Sequence, residues 1–301
     1  ADVDISSVTG SLSSGVDLRL ASDSAYGGCG NKFIGLMDEF RAYNRVLSAS
    51  EARQLYNLGG GNVNVSQNSK VASGLVGLWS FNGPDYNIAS TTAEILDRSG
   101  NNNNGDNSGV LLANGKVGQG LSFNGSNYIV VPSSTSLNVG SSNFALSFWF
   151  NNSVSLGSNF WNIISKKNAL NGTNPGWMMW FRSNGGEGLG LSLRMNSGQG
   201  NDTPIGSTVD VTSRISDGTW HHVAVSVDRT ANTASFYFDG VDVGSSGSVI
   251  AGSFSNTDPL GIGASGTGNQ PVPSGFNTDE VRLYNRTLSV TEVKQLYNMG
   301  K

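Results

Sequence analysis

Apolar residues recur at every second position through most of the second three-quarters of the chain. Leu75, Gly77, Trp79 and Phe81 do so in GLVGLWSFNG, Phe144, Leu146, Phe148 and Phe150 in FALSFWF, and Leu189, Leu191, Leu193 and Met195 further on. Val223, Val225 and Val227 continue the pattern, and Val281 and Leu283 alternate with Glu280, Arg282 and Tyr284 near the C-terminus. A period of two sends successive side chains to opposite faces, so each segment predicts a strand with one face on a core and the other free to stay wet. Asp228–Asn232 and Asp239-Gly240 read as hairpin turns that join three of these strands into a meander. One segment has helical spacing instead. Ser289-Val-Thr-Glu292 forms a capping box, Val293, Leu296 and Tyr297 follow at 3.6 spacing, and Gly300 stands where a left-handed C-cap is expected.

The closing pattern occurs twice. Residues 38–60 read DEFRAYNRVLSASEARQLYNLGG and residues 279–301 read DEVRLYNRTLSVTEVKQLYNMGK, a gapless match over a strand, a turn and a short helix. Residues 74–301 therefore form one full unit, 61–73 a small, polar linker, and 1–60 the end of a second unit that lacks its own front. A sheet fragment without partner strands leaves backbone groups and an apolar face unsatisfied. Residues 1–60 are expected to lie on the full unit, to replace 242–301 in a permuted sandwich, or to complete a neighbouring molecule by strand donation.

Composition narrows the function. Charged residues make up 13% of the 301 positions, about half the usual share, and the net charge is −4 with no Lys/Arg cluster. Nucleic acid and anionic membrane surfaces are not expected partners. No apolar run approaches the roughly 18 residues that span a bilayer. Ala1 follows no charged and apolar leader, so a signal peptide is read as removed or never attached. Cys29 is the single cysteine, which excludes an intrachain disulfide and a cysteine-based metal site. Low charge with abundant Asn, Ser and Gly suggests an extracellular or cell-surface prokaryotic protein.

Five motifs in order, GLVGLWSFNG (74–83), DRSGNNNNG (97–105), GQGLSFNGSNYIVVP (118–132), GTWHHVAVSVD with SFYFDG (218–240) and DEVRLYNRTLS (279–289), resemble the LamG-like jelly-roll family of the concanavalin A-like lectin/glucanase group. The resemblance covers residues 74–301. It implies an all-β, two-sheet antiparallel jelly-roll sandwich with a short C-terminal helix, preceded by a partial repeat in residues 1–60. It further implies that the first and last strands are neighbours, and that Trp220-His221-His222 is structural.

Candidate chemistry follows from what such a sandwich can present. Retaining glycoside hydrolysis needs two carboxylates about 5–5.5 Å apart, as on alternate positions of one strand. No Glu-x-Asp-x-Glu run exists, and Asp279-Glu280 are adjacent, so a non-enzyme is expected. The two histidines lack further imidazole or thiol ligands for a transition metal, and lack the context of a catalytic triad. Calcium is the expected cofactor: Asp97-Arg-Ser-Gly-Asn101-Asn-Asn103 gathers hard oxygens in one turn, and the resemblance adds the acidic pair before the last strand, giving Asp97, Asn101, Asn103 and Asp279 as ligands. The alternative is that Asp97 makes an Asx turn and the asparagines are left-handed turn formers. For sugar, an aromatic platform with planar polar groups points to Trp161, Trp177, Arg182 and Asn184. Trp177 and Trp180, three apart, face opposite ways on a strand, so at most one is a stacking surface; both can equally be core, and Trp161 is taken as the more exposed. The expected function is a non-catalytic extracellular module that binds a glycan or a cell-surface protein. The alternative is a structural subunit of a stalk or filament that self-associates through residues 1–60.

Overall fold

The computed structural model describes residues 42–43, 69–87, 90–157, 160–168, 173–183, 189–200 and 202–300. The chain divides between residues 48 and 49 into two units, and the second carries the architecture below. The expected repeat tail, its docking and its part in self-association lie outside the described residues.

In chain order the elements are α1 (Ser69–Ala72), β1 (Leu75–Trp79), β2 (Asp106–Asn107), β3 (Leu111–Asn114), β4 (Gln119–Asn124), β5 (Ile129–Val131), β6 (Phe144–Asn151), β7 (Phe160–Ser165) and β8 (Gly176–Arg182). There follow β9 (Gly190–Asn196), β10 (Thr203–Gly206), β11 (Trp220–Asp228), β12 (Thr233–Phe238), β13 (Val241–Asp242), β14 (Leu260–Ile262), β15 (Ser274–Tyr284) and α2 (Val290–Met299). The strands form two antiparallel sheets. The first runs β13-β12-β11-β6-β15-β4-β3 with β1 also on β15, and the second runs β10-β9-β8-β7-β14-β5-β2. This is the jelly-roll sandwich with one short C-terminal helix.

Alternation builds the core between the sheets. Phe144, Leu146, Phe148 and Phe150 of β6 and Val223, Val225 and Val227 of β11 face Trp177, Met179 and Phe181 of β8 and Leu191, Leu193 and Met195 of β9. Phe144 stacks on Trp177 at 5.5 Å, and Phe150 meets Phe181 edge-on at 4.6 Å. The intervening residues of the first sheet are small or ring-shaped: Ala145, Ala224, Tyr237 and Tyr284 accept Leu288 and the Val293 and Leu296 face of α2. Two methyl-sized side chains leave the helix room to lie close to the strands.

Two details differ from the expected pattern. A bulge between Leu75 and Gly77 shifts the phase of β1, so Val76 joins the inter-sheet core while Leu75 packs under the helix. Gly77 is then required sterically, because a Cβ there would lie 2.3 Å from the Trp79 ring. The Ser289–Glu292 capping box is present, but Gly300 ends the helix at φ −101° rather than in the left-handed region. Its smallness serves another purpose: a Cβ would sit 2.6 Å from Trp149.

The first and last strands do pair, with Trp79 opposite Val281, and β15 also pairs with β6 and β4. Residues 279–284 of the same chain thus fill the place in the sheet for which the 38–43 copy has the matching sequence.

Because α2 is held by one cap and one apolar stripe, its stability divides cleanly between them. Ser289→Ala is expected to lower the free energy of unfolding by about 1 kcal/mol, and Leu296→Ala by about 2–5 kcal/mol, measured by urea denaturation. Equal, negligible losses would show that the helix does not close the first sheet.

Candidate functional site

The outer face of the first sheet is occupied by α2, whereas the outer face of the second carries polar and aromatic side chains in register. Pairing sets Asn162 of β7 opposite Trp180 of β8, and Trp180 opposite Ser192 of β9. Neighbouring strands lie about 4.8 Å apart, so the three side chains form one row across the sheet. A bulge between Asn162 and Ile164 makes this possible: Trp161, Ile163 and Ile164 all turn to the core while Asn162 stays with Trp180.

The flanking positions mix apolar, polar and cationic side chains. On one side lie Phe160, Arg182 and Gly190, and on the other Ser165, Met178 and Arg194. The Phe160 ring stacks on Trp180 at 4.6 Å and 7°, and the Arg194 guanidinium lies 4.8 Å over the indole. Further along, Lys167 meets Asp202 at 2.8 Å, and Asn196 donates to the same carboxylate at 3.1 Å. Phe160 is 37% exposed, but Trp180 is 1% and Asn162 and Ser192 are 0% exposed. Nevertheless Asn162 Oδ1 and Nδ2, Trp180 Nε1 and Ser192 Oγ have no hydrogen-bond partner in the protein. Each such atom costs about 1–3 kcal/mol.

Of the residues expected to bind sugar, two are misplaced. Trp161 is 6% exposed and Trp177 fully buried, and both point between the sheets, where their neighbours are apolar side chains of both layers. Arg182 does lie in the Phe160 row, and Asn184 falls outside the described residues. The sequence signal that was available is the three-residue spacing of Trp177 and Trp180. It says that the two differ in face, and only the fold says which one points outward.

His221 stands in a triad-like setting. Its Nδ1 is 2.8 Å from Asp239 Oδ2, and its Nε2 is 2.8 Å from the exposed Thr219 hydroxyl. Asp217 changes the meaning of that geometry, since its carboxylate also lies 3.1 Å from Nε2. Burial opposes the charged ring, but hydrogen bonds to Asp239 and then Asp217 prevail and raise the His221 pKa. A ring whose two nitrogens both face carboxylates holds its proton more tightly and is a poor base for Thr219. It pins the 211–219 turn to the β12–β13 hairpin, whose Asp239 also accepts from the His222 N–H and binds Arg214. His222 is the opposite case: burial, then the nearby Arg282 cation, push its pKa down to about 3.

The four residues expected to hold calcium do not fit the ion as arranged. Asp97 Oδ1 accepts from Leu78 N–H at 2.9 Å and Ser99 N–H at 2.8 Å, and Oδ2 from Ser99 Oγ at 2.8 Å and Asn103 N–H at 2.9 Å. Both oxygens are thus engaged in tying the turn to β1. The Asn103 amide donates to Val76 O and Ser136 while its oxygen accepts from Ser134, and the Asn101 amide donates to Leu75 O. Asp279 accepts from Val117 and Glu280 N–H groups, and burial together with the neighbouring Glu280 carboxylate pushes its pKa up, against ion binding. Among the described residues no group of three or more His, Cys, Asp or Glu is placed to hold a metal, and no helix is long and apolar enough to cross a membrane.

Comparison with known proteins agrees with the architecture. The family model of the concanavalin A-like lectin/glucanases superfamily matches residues 123–294, more than half of the chain. A non-toxic nonhemagglutinin of Paraclostridium bifermentans is 25% identical over 223 residues, which are 71% of this chain and 17% of that protein. The binding domain of Paraclostridial Mosquitocidal Protein 1 superposes with a TM-score of 0.60 at 20% identity, covering 76% of this chain and 53% of that one. Domain 4 of AbnA, a GH43 extracellular arabinanase from Geobacillus stearothermophilus solved with arabinotriose, gives 0.52 at 21% identity, covering 74% of this chain and 98% of that one. The chain thus spans about half of that binding domain and a small part of the curated relative.

The two histidines should give opposite pH dependences. His221, with its folded pKa raised, contributes stability that is complete below about 6.5 and is lost as pH rises through its folded value. His222, with its folded pKa depressed to about 3, contributes stability above about 6.5 that is lost as pH falls. Between pH 6.5 and 5, wild-type stability is expected to fall more steeply than that of His222→Gln, by up to about 1.4 kcal/mol per pH unit; parallel curves would show that His222 titrates normally. EDTA and added calcium should leave the melting temperature unchanged, and a rise that scales with calcium concentration would restore the metal site.

Proposed function

The chain belongs to the concanavalin A-like lectin/glucanases superfamily, and on that premise we propose that it is a non-catalytic, extracellular binding module that recognises carbohydrate or a cell-surface partner through the β7–β8–β9 outer face. The observation that carries this reading is the Asn162–Trp180–Ser192 row. Four polar atoms without partners lie beside a stacked Phe160–Trp180 pair, a concentration of unmet hydrogen bonds that a folded protein ordinarily avoids. An occupant that hydrogen-bonds along the row would offset that cost, and the Phe160 ring, the exposed member of the stacked pair, offers an apolar surface beside it. The clamping of His221 between Asp217 and Asp239, which makes it a poor base, supports a binding rather than a catalytic role. The extracellular setting is supported by the low-charge composition and by the fold shared with a domain of a secreted arabinanase.

A glycan microarray with the full chain, followed by calorimetry on any hit, tests this. Trp180→Ala is expected to weaken binding on the order of tenfold or more, while Trp180→Phe, which keeps a ring against Phe160, should retain most of it. Binding that survives Trp180→Ala undiminished would move the site elsewhere.

A further inference from the structure

We infer that the oxygens around Lys166 form a monovalent-cation site that the chain fills with its own ammonium group, and that this cation clamps the middle of the second sheet. Strand pairing there is short. β14, with three residues, joins β7 to β5, and its register with β7 covers only Gly261 opposite Ser165 and Ile262 opposite Ile164. Lys166 follows β7, Ser133 follows β5, and Asn256 and Asp258 precede β14, so antiparallel pairing brings all three segments to one end of these strands. Lys166 is 1% exposed. Its Nζ lies 2.5 Å from Asp258 O, 2.8 Å from Asn256 Oδ1, 3.2 Å from Ser133 Oγ and 3.3 Å from Asn256 O.

Bonds of its own hold this shell in place. Asn256 Nδ2 donates to Lys166 O at 2.6 Å and to Pro175 O at 2.8 Å, which aims Oδ1 at the ammonium, and Asp258 N–H donates to that same Oδ1 at 2.9 Å. Gly176 leaves room for the approach: a Cβ there would lie 2.4 Å from Lys166 O and 2.7 Å from Asn256 Nδ2. The ligands decide the class of ion. Four neutral oxygens surround Nζ, while the Asp258 carboxylate, which accepts from Asn168 N–H at 3.0 Å, acts on it only through space. Calcium takes about six to eight oxygens at about 2.3–2.6 Å, carboxylates among them, so this shell suits a single charge of larger radius. Lys167 is the contrast, since its ammonium meets the Asp202 carboxylate at 2.8 Å in an ion pair. Burial lowers the Lys166 pKa to about 8 against the pull of Asp258, and the amine is thus charged at neutral pH. Without a cation the four oxygens would face one another out of water.

Thermal melts of the full chain test this, with ionic strength held constant by tetramethylammonium chloride, whose cation has no N–H to donate. Lys166→Ala is expected to melt below wild type and to recover saturably as ammonium, methylammonium or potassium chloride replaces that salt. The recovery should reach about 3–6 °C once the cation is about tenfold above its dissociation constant. Wild type and Leu296→Ala, which is weakened under α2 instead, should not respond. Lys166→Met, which keeps an unbranched side chain without the charge, should also melt below wild type. Where Lys166→Ala is unfolded in tetramethylammonium, a cooperative transition regained in one of the other salts is the same result. No recovery with any of these cations, or a recovery matched by Leu296→Ala, overturns the cation site, and Lys166→Met as stable as wild type overturns the clamp.

Discussion

The long strand β15 is the constraint on which the sandwich depends. It pairs with β6 along one side and with β4 and then β1 along the other, so the sheet can be continuous only if one segment near the C-terminus reaches all three. A strand that changes partner partway needs a bulge, and here it falls between Asp279 and Arg282 with Glu280 at φ +52°. The bulge buries Asp279, Glu280 and Arg282 together. Glu280 and Arg282 form an ion pair in a place where neither charge could remain alone. The same Arg282 cation acts on His222 and helps keep it neutral. The acidic pair that looked like a ligand for calcium is thus part of the joint between strands.

The two sheets spend their outer faces differently, and the side chains explain why. On the first sheet the outward positions are Ala145, Ala224 and the rings of Tyr237 and Tyr284, which form an apolar bed covered by α2. On the second they are Asn162, Ser192, Arg194 and Trp180, with polar tips on an aromatic ground. A helix with one apolar stripe suits the first and would leave the second unsatisfied. The proposed binding face is therefore assigned to the second sheet. Its rigidity comes from the inter-sheet contacts of the alternate residues: Trp177 anchors β8 in the core while Trp180, three positions later, stands on the other side.

Much of this was written in local pattern. Period-two alternation located the strands, the Asp239-Gly240 turn and the Ser289–Glu292 cap appeared as expected, and the pairing of first and last strands followed from the family motifs. What failed did so where neighbours distant in sequence intervene. Gly300 was assigned a backbone role when its reason is the Trp149 ring. Asp97 accepts from Ser99 and Asn103 in its own turn, as the Asx-turn alternative expected, and the donor that only the fold supplies is Leu78 in another strand.

The amino-acid order by itself determined the fold class, the alternation of most strands and the N-terminal cap of the helix, because those depend on periodicity and on hydrogen bonds between residues a few positions apart. It also determined that Trp177 and Trp180 point in opposite directions. Which of them faces the core was decided only by tertiary structure, through the bulge in β7 and the stacking of Phe144 on Trp177. A single strand is symmetric with respect to its two sides until a second layer packs on one of them.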